Sequence, residues 1–378
     1  MKFLHTADLH IGKRVLEHAM TEDMAFVLRE ITEIARAEQV DGVLIAGDVY
    51  DKSVPSAEAV SLLDDFLTVL SKKGVQVYLI SGNHDSPERL SFGARLMERS
   101  GVHLAGVYDG PVKPIVLKDG QGELFLYLLP FIKPAHLRRF FPEEEIVSYT
   151  DAMRLAIGAM EVDPSARNVL VTHQFVTGAS RCDSEELSVG GSDNVDVEVF
   201  KDFDYVALGH IHSPQSCGSE RVRYCGTPLK YSFSEAKDRK SVTVVELGKK
   251  GELTVRTLPL APKHDLVELK GAYDELMSKS FYENTTYRED YVHITLTDEE
   301  DVPEAVGRLR TVYKGLMKLD YDNLRTGSGG ALIGSAQADR TPFELFSELY
   351  LMQNGRAMSE EQSAYVKELI EEVWEEEK

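Results

Sequence analysis

Asp8, His10, Asp48, Asn83, His173, His210 and His212 each come where an apolar run gives out. Their settings are F-L-H-T-A-D-L-H (Phe3–His10), V-L-I-A-G-D-V-Y-D (Val43–Asp51), V-Y-L-I-S-G-N-H-D (Val77–Asp85), N-V-L-V-T-H (Asn168–His173) and Y-V-A-L-G-H-I-H (Tyr205–His212). Carboxylate, imidazole and carboxamide donors without a thiolate suit Mn²⁺, Fe or Zn better than a soft metal. Asp8 and His10 stand two apart on an emerging strand end, so both can reach one ion. Asp48 has two carboxylate oxygens and can bridge two ions, and His210 and His212 can each serve a different ion as the loop turns. Two such ions close together activate water at neutral pH and clamp a phosphoryl group for in-line attack. His84, beside Asn83, is the spare imidazole, placed to stabilise a charged phosphoryl transition state or to protonate a leaving oxygen. Asp51, three residues past Asp48, is expected to orient His84 and favour its cationic form.

The elements that must position these groups are strands ending at a common edge. Each run is short, rich in Val, Ile and Leu and reads as buried strand. In an open α/β sheet the strand ends are where sites form. Between the runs, Thr21–Gln39 is expected to be a helix with Thr21 as a possible N-cap and Met24, Val27, Leu28, Ile31 and Ile34 on one face. Ser56–Lys72 is expected to be another, with Val60, Leu63, Phe66, Leu67 and Leu70 at helical spacing. Pro87–Ser100 is expected to be a third, closed by Gly101. After His212 the pattern turns β-rich over Val222–Cys225, Ser241–Leu247 and Leu253–Leu258, which gives α/β layers around a mixed sheet.

Near Ala261–Lys263 that pattern breaks. A strand at Asp265–Lys270, a helix from Ala272, a strand at Tyr291–Leu296 and a helix from Val302 to Leu316 are expected to form a small α+β module. Gly327–Ala336, G-S-G-G-A-L-I-G-S-A, has the composition of a flexible linker. Thr341 and Pro342 start an amphipathic tail of one or two helices. Its apolar positions are Phe343, Phe346, Leu349, Tyr350 and Leu351, then Tyr365, Leu369, Ile370, Val373 and Trp374. The expected organisation is 1–262, 263–325, a linker at 326–340 and a helical tail at 341–378.

The chain has 378 residues, with 42 basic against 63 acidic side chains and a formal net charge of −21. A field of that sign repels nucleic acid and anionic membrane. A phosphate substrate must then be held by metal ions, a local basic patch or a partner. Cys182, Cys217 and Cys225 form neither a metal-type pair nor an even disulfide set, and free thiols in a reducing cytosol are expected. No signal peptide precedes the first strand and no apolar stretch is long enough to cross a bilayer, so a cytoplasmic protein is expected.

The motifs D-L-H, G-D-V-Y-D, G-N-H-D, T-H and G-H-I-H, in that order, resemble those of the calcineurin-like metallophosphoesterases. Within them the chain is most similar to the SbcD family of nuclease subunits. That likeness extends to L-H-T-A-D-L-H-I-G-K at the start, A-L-G-H-I-H-S-P-Q, and V-R-Y-C-G-T-P-L-K-Y-S-F-S-E (Val222–Glu235). It covers Met1 to about Leu260 strongly, the small module moderately and the tail by position and character only. The resemblance implies a two-layered mixed-sheet metallophosphoesterase sandwich, followed by a small capping domain and a docking tail. It implies that Asp8, His10, Asp48 and His212 hold one Mn²⁺, that Asp48, Asn83, His173 and His210 hold the other, and that His84 serves the transition state. The implied activity is Mn²⁺-dependent DNA cleavage: exonuclease on double-stranded ends, endonuclease on single strands or hairpins, in DNA repair and recombination. The implied partners are DNA, a second copy of the chain joined through helices of the nuclease domain, and an SbcC-type ATPase bound through 341–378. Related archaeal nucleases carry a histidine where Asp51 stands, so its part as partner of His84 is drawn from the phosphatases.

Other readings weigh against some of these. A phosphatase or cyclic-nucleotide phosphodiesterase would use the same centre, but would need neither the added module nor the tethered tail. His5, inside its apolar run, reads as a packed or supporting histidine rather than a ligand. Asp85 reads first as the N-cap of the next helix, with Glu88 completing a capping box. Lys13, Arg14, Lys52 and Arg89 could meet DNA phosphate, although surface cations are usually only solvated. The stripe on Ser56–Lys72 is by default core packing, and Asp183–Gly191 is either a loop at the site mouth or a long connection.

Overall fold

The computed structural model describes residues 1–180, 182–185, 194–323 and 341–376. It divides into two compact units, Met1–Asp265 and Leu266–Lys378.

Two six-stranded mixed sheets form the first unit. The apolar runs become parallel strands because a chain buried on both faces has no polar face to alternate with. In one sheet Lys2–Thr6, Gly42–Ala46, Gln76–Ile80 and Val102–Ala105 run parallel, and Ser241–Leu247 and Leu253–Pro259 close the other side antiparallel. In the second sheet Gly122–Leu129, Arg167–His173, Tyr205–Gly209 and Ser219–Tyr224 run parallel, with Ile115–Asp119 and Gln215–Cys217 antiparallel at its edges.

The two-residue period of these strands sorts their side chains. Leu124, Leu126, Leu128, Val169, Val171, Tyr205 and Ala207 face the other sheet and pack with Phe3, Leu44, Ala46, Tyr78 and Ile80. The alternate residues Tyr127, Leu129, Leu170, Val206 and Leu208 face outward and are covered by Ala152, Met153, Ala156 and Ile157 of helix Tyr149–Gly158. On the first sheet, Leu4, Val43, Ile45, Val77 and Leu79 are buried likewise, beside helices Thr21–Ala37 and Ala57–Lys72 with their buried stripes. The stripe of the second helix, Ala59, Leu63, Phe66, Leu67 and Leu70, is core packing; Val60 and Val69 stay exposed.

Several helix expectations are corrected. Thr21 is the first helical residue and Met20 the N-cap, with no side-chain cap bond. Ser56 does cap its helix, accepting the Ala59 N–H at 3.2 Å. Pro87–Ser100 is not one helix: it breaks into Pro87–Leu90, Ala94–Met97 and a 3₁₀ turn Glu98–Ser100. Gly93, at φ +77°, interrupts it in a conformation no helix contains.

In the second unit Leu266–Gly271, Tyr291–Leu296 and Gly315–Tyr321 form a parallel three-stranded sheet around Leu269, Val292, Ile294, Leu309, Tyr313 and Leu316. The helix expected from Val302 to Leu316 is only Ala305–Leu309. Leu316 lies in the last strand, where it closes that core. The tail is two helices, Pro342–Asn354 and Glu360–Glu376. Thr341 starts the first through a capping box: its hydroxyl accepts the Glu344 N–H at 3.3 Å and Glu344 accepts the Thr341 N–H at 2.8 Å. The proposed linker and the side chain of Trp374 lie outside the described residues, as does most of Asp183–Gly191. Among the described residues no helix is long and apolar enough to cross a membrane, and the three cysteines are free.

Candidate metal centre

Five parallel strands end at the same edge of the sandwich, and their end loops are laced together. Asp8 donates its N–H to Gly47 O at 3.0 Å, and His10 donates to Asp48 O at 2.9 Å. The His210 N–H returns from the second sheet to the Asp8 carboxylate at 3.0 Å. Gly209 makes that crossing possible, because a Cβ there would fall 1.9 Å from Ala46 O of the other sheet. Asp8, His10, Asp48 and His210 all take left-handed backbone conformations, with φ of 52°, 42°, 46° and 103°. Non-glycine residues hold such angles only where their surroundings over-determine them, and such sites cluster at functional centres.

The lacing brings Asp8, His10, Asp48, Asn83, His173, His210 and His212 into one buried pocket. His10 Nε2 and His212 Nε2 lie 3.2 Å apart. His173 Nε2 is 2.9 Å from Asn83 Oδ1 and 3.4 Å from Asp48 Oδ2, and His210 Nδ1 is 3.0 Å from the same Asn83 oxygen. Ligand atoms of Asp8, His10 and His212 lie within 4.8 Å of one another, as do those of Asp8, Asp48 and His173, and those of His10, Asp48 and His84. His173 Nδ1 bonds Ala46 O at 2.9 Å, so that nitrogen carries the proton and Nε2 turns to the pocket. His10 Nδ1 is buried without a hydrogen-bond partner.

The electrostatics ask for positive charge. Burial pushes the Asp8 carboxyl well above its usual range. Burial also works against the Asp48 charge, but His173, His10 and His84 overcome it and hold that carboxyl well below. Burial likewise opposes a charged His173, yet Asp48 and Asp8 push its pKa up to about 9. Crowded buried carboxylates beside imidazole and carboxamide donors, all hard or borderline, fit divalent ions.

The flanking residues sort differently from expectation. His5 bonds Tyr205 Oη at 2.8 Å and Leu208 O at 3.2 Å, and burial pushes its pKa down to about 3, so it is a packed neutral ring. Asp85 caps no helix; the cap position is Ser86. Its carboxylate instead accepts the N–H groups of Val49 at 3.1 Å, Tyr50 at 2.9 Å and Gly82 at 2.9 Å, bracing two ligand loops. Asp51 does hold His84, but through its main-chain carbonyl, 3.0 Å from His84 Nδ1. The Asp51 carboxylate is taken by Lys13 at 2.9 Å, so Lys13 is not a free cation for DNA. Arg14 bonds the Glu17 carbonyl.

Residues 1–214 match the calcineurin-like phosphoesterase profile, more than half of the chain. Residues 262–354 match the profile described as type 5 capsule protein repressor C-terminal domain, SbcD_C. The SbcD component of the nuclease SbcCD from Staphylococcus saprophyticus is 32% identical over 323 residues, 84% of each chain. Its namesake in Staphylococcus epidermidis is 30% identical over 377 residues, 98% of each chain. The chain belongs to the SbcD family. It is thus a metal-dependent phosphodiesterase of the nuclease class. A dimetal phosphatase from Danio rerio aligns over 70% of this chain and 99% of its own at 14% identity and a TM-score of 0.40, a likeness too weak to argue from.

A further group surrounds the SbcD-family centre, and no motif singles it out. Tyr231 stands edge-on to His10, ring centres 5.5 Å apart, and donates its hydroxyl to Leu9 O. Ser184, Glu185, Glu235 and Lys240 surround His212. Tyr231 and Glu235 fall in the Val222–Glu235 stretch that carried the likeness, but no spacing rule points to them. Their register with the site exists only once the second sheet is folded.

Proposed function

We propose that this chain is the nuclease component of a DNA-cutting complex, using two Mn²⁺ ions to hydrolyse DNA phosphodiesters. In this reading Asp8, His10, Asp48 and His212 hold one ion, and Asp48, Asn83, His173 and His210 the other. The observation that carries it is the convergence of these donors in a chain related over 98% of its length to a nuclease of the SbcCD type. Once bound, divalent ions supply a nucleophile from water and neutralise phosphoryl charge.

The chain's own residues do the rest. His84 offers its Nδ1 proton to the Asp51 carbonyl, which fixes the ring and leaves Nε2, 3.9 Å from Asp48 Oδ2, facing the pocket. A second proton on Nε2 makes His84 a donor to a phosphoryl oxygen. As water oxygen bonds to phosphorus and gives up a proton to solvent, the phosphorus–oxygen bond to the leaving alcohol breaks and the His84 proton passes to the departing oxygen. Asp85 and Gly82 keep Asp48 and Asn83 in register.

The same proposal assigns residues 263–325 as the capping domain, 326–340 as a linker and 341–378 as the segment that docks to an SbcC-type ATPase. The relatives' shared name, which makes each of them one component of SbcCD, supports a partner. So do Leu345, Phe346, Leu349, Leu351, Tyr365 and Leu369, exposed on the tail helices. A net charge of −21 supports a partner that supplies much of the DNA-binding surface. We place the protein in the cytoplasm, as a dimer within a heterotetramer, acting in repair and recombination by exonuclease and endonuclease cutting.

The test is Mn²⁺-dependent cleavage of a labelled DNA hairpin, by the chain alone and with its ATPase. Cleavage lost in His84→Gln supports the reading. Turnover of a small phosphate ester, with no DNA cutting even after the ATPase is added, would move the assignment to a phosphatase.

A further inference from the structure

His212 is gripped at every polar atom but one. Its N–H donates to Glu185 Oε1 at 2.7 Å, and its carbonyl accepts from Lys240 Nζ and from the Thr227 N–H, both at 3.0 Å. Its Nδ1 lies 2.6 Å from Ser184 Oγ, and that hydroxyl lies 2.6 Å from Glu235 Oε1. Glu235 is fully buried and ion-paired to the buried Lys240.

We propose that Ser184, Glu235 and Lys240 lock the tautomer of His212, and so make its Nε2 a permanent lone-pair donor. The inference rests on the reading of His212 as a metal ligand. The argument is one of proton counting. A serine hydroxyl has one proton and two acceptor lone pairs. Glu235, held against the Lys240 ammonium, has no proton to give, and its Oε1 also accepts the Tyr231 N–H at 3.2 Å. A 2.6 Å contact between two oxygens needs a proton between them, so Ser184 must donate to Glu235. Ser184 can then meet His212 only as an acceptor, and the ring proton must sit on Nδ1. Cys182 Sγ, 3.0 Å from the same hydroxyl, offers only a weak S–H and does not compete for it.

The freed Nε2 points at His10 Nε2. Histidine ligands commonly hand their outer N–H to a carboxylate directly, and losing that partner costs about 10- to 100-fold in metal affinity. Here a hydroxyl is inserted, and it comes from the segment that follows the His173 strand. Ser184 therefore ties the segment after one candidate ligand to the ring of another. Ser184, Glu235 and Lys240 are positioning residues: they reach His212 at its Nδ1 and its carbonyl, not at Nε2.

The test uses the full chain with ¹⁵N-labelled histidine, metal-free, and a long-range proton–nitrogen spectrum in which His212→Gln identifies the His212 signals. The expected wild-type pattern is a proton on Nδ1. Ser184→Ala should shift His212 toward the Nε2–H form and lower Mn²⁺ affinity, measured by calorimetry, by about 10- to 100-fold. Ser184→Thr should restore both, and Glu235→Gln should repeat the loss if it folds. An Nε2–H signal in the wild type, or unchanged tautomer and affinity in Ser184→Ala, would overturn the lock. If His212→Gln kept full metal stoichiometry, the ligand assignment would fail, while the tautomer result would still stand or fall by its own spectrum.

Discussion

The Nδ1 atom of His84 lies 3.0 Å from the main-chain carbonyl oxygen of Asp51, while the Asp51 carboxylate turns away to Lys13. Orientation of His84 therefore depends on where the loop runs and not on what residue 51 is.

His84→Gln should keep both ions and lose cleavage by about 10²- to 10⁴-fold, the usual worth of a proton-transferring group. Asp51→Ala should stay within about tenfold of wild type, since the carbonyl remains. Metal stoichiometry and single-turnover hairpin cleavage measure both. Loss of an ion in His84→Gln would make His84 a ligand, and equal damage from the two variants would return the role to the carboxylate.

Asp48→Asn should weaken both ions together. Asp48 Oδ2 lies 3.4 Å from His173 Nε2 and 3.8 Å from His10 Nε2, one from each ligand group. Calorimetric titration with Mn²⁺ should show both binding steps displaced. A variant that loses one step and keeps the other would refute bridging.

Gly82→Ala should damage the centre although residue 82 is no ligand. A Cβ there would fall 2.0 Å from Asp48 Oδ1 and 2.4 Å from the Asp48 nitrogen, so backbone must move. The expected cost is about 2–4 kcal/mol of stability, together with weakened metal binding. Urea unfolding and calorimetry would read the two; unaltered values in both would mean the loops have slack that this packing does not show.

Asp119 supplies the acid sensitivity that can be separated from the metal site. Arg167, nearly fully buried, bonds it at 2.7 and 3.1 Å and holds its carboxyl well below the usual range. A depressed folded-state pKa adds stability that is present above the unfolded value, about 3.9, and is lost as pH falls through the folded one. Asp119→Asn should cost about 1–3 kcal/mol at pH 7. The gap from wild type should close as pH falls below about 4. Urea midpoints across that range would check it; a gap independent of pH would assign the loss to packing.

Removing residues 341–378 should leave the Mn²⁺-dependent activity of the chain and abolish capture of the ATPase. Affinity pull-down beside a hairpin assay is sufficient. A truncated chain that still bound its ATPase would remove the docking assignment.

Much of this protein was written locally. Strand identity follows from runs such as Val43–Ala46 and Val169–Val171, because a strand buried on both faces needs apolar residues at every position. The candidate ligands follow because polar groups that end such runs sit at a sheet edge, and their order matches a family motif by motif. The helix start at Thr341 and Pro342 was legible for the same reason: the bonds that secure it, between Thr341 and Glu344, span three residues.

What tertiary structure decided are the relations with no sequence period. Asp85 looks like a helix cap until the loops of Asp48 and Asn83 close over it and offer three N–H groups. Pro87–Ser100 has a helical composition, yet Gly93 takes a left-handed turn there. Leu316 reads as helix until the core of the small sheet claims it. Ser184 and Lys240 meet His212 directly and Glu235 meets it through Ser184, from stretches of the chain far from His212, by hydrogen bonds only 2.6–3.0 Å long. Propensity and periodicity act over a few residues, so they can name the groups that bind. The groups that aim them are chosen by which backbones the two sheets bring within reach.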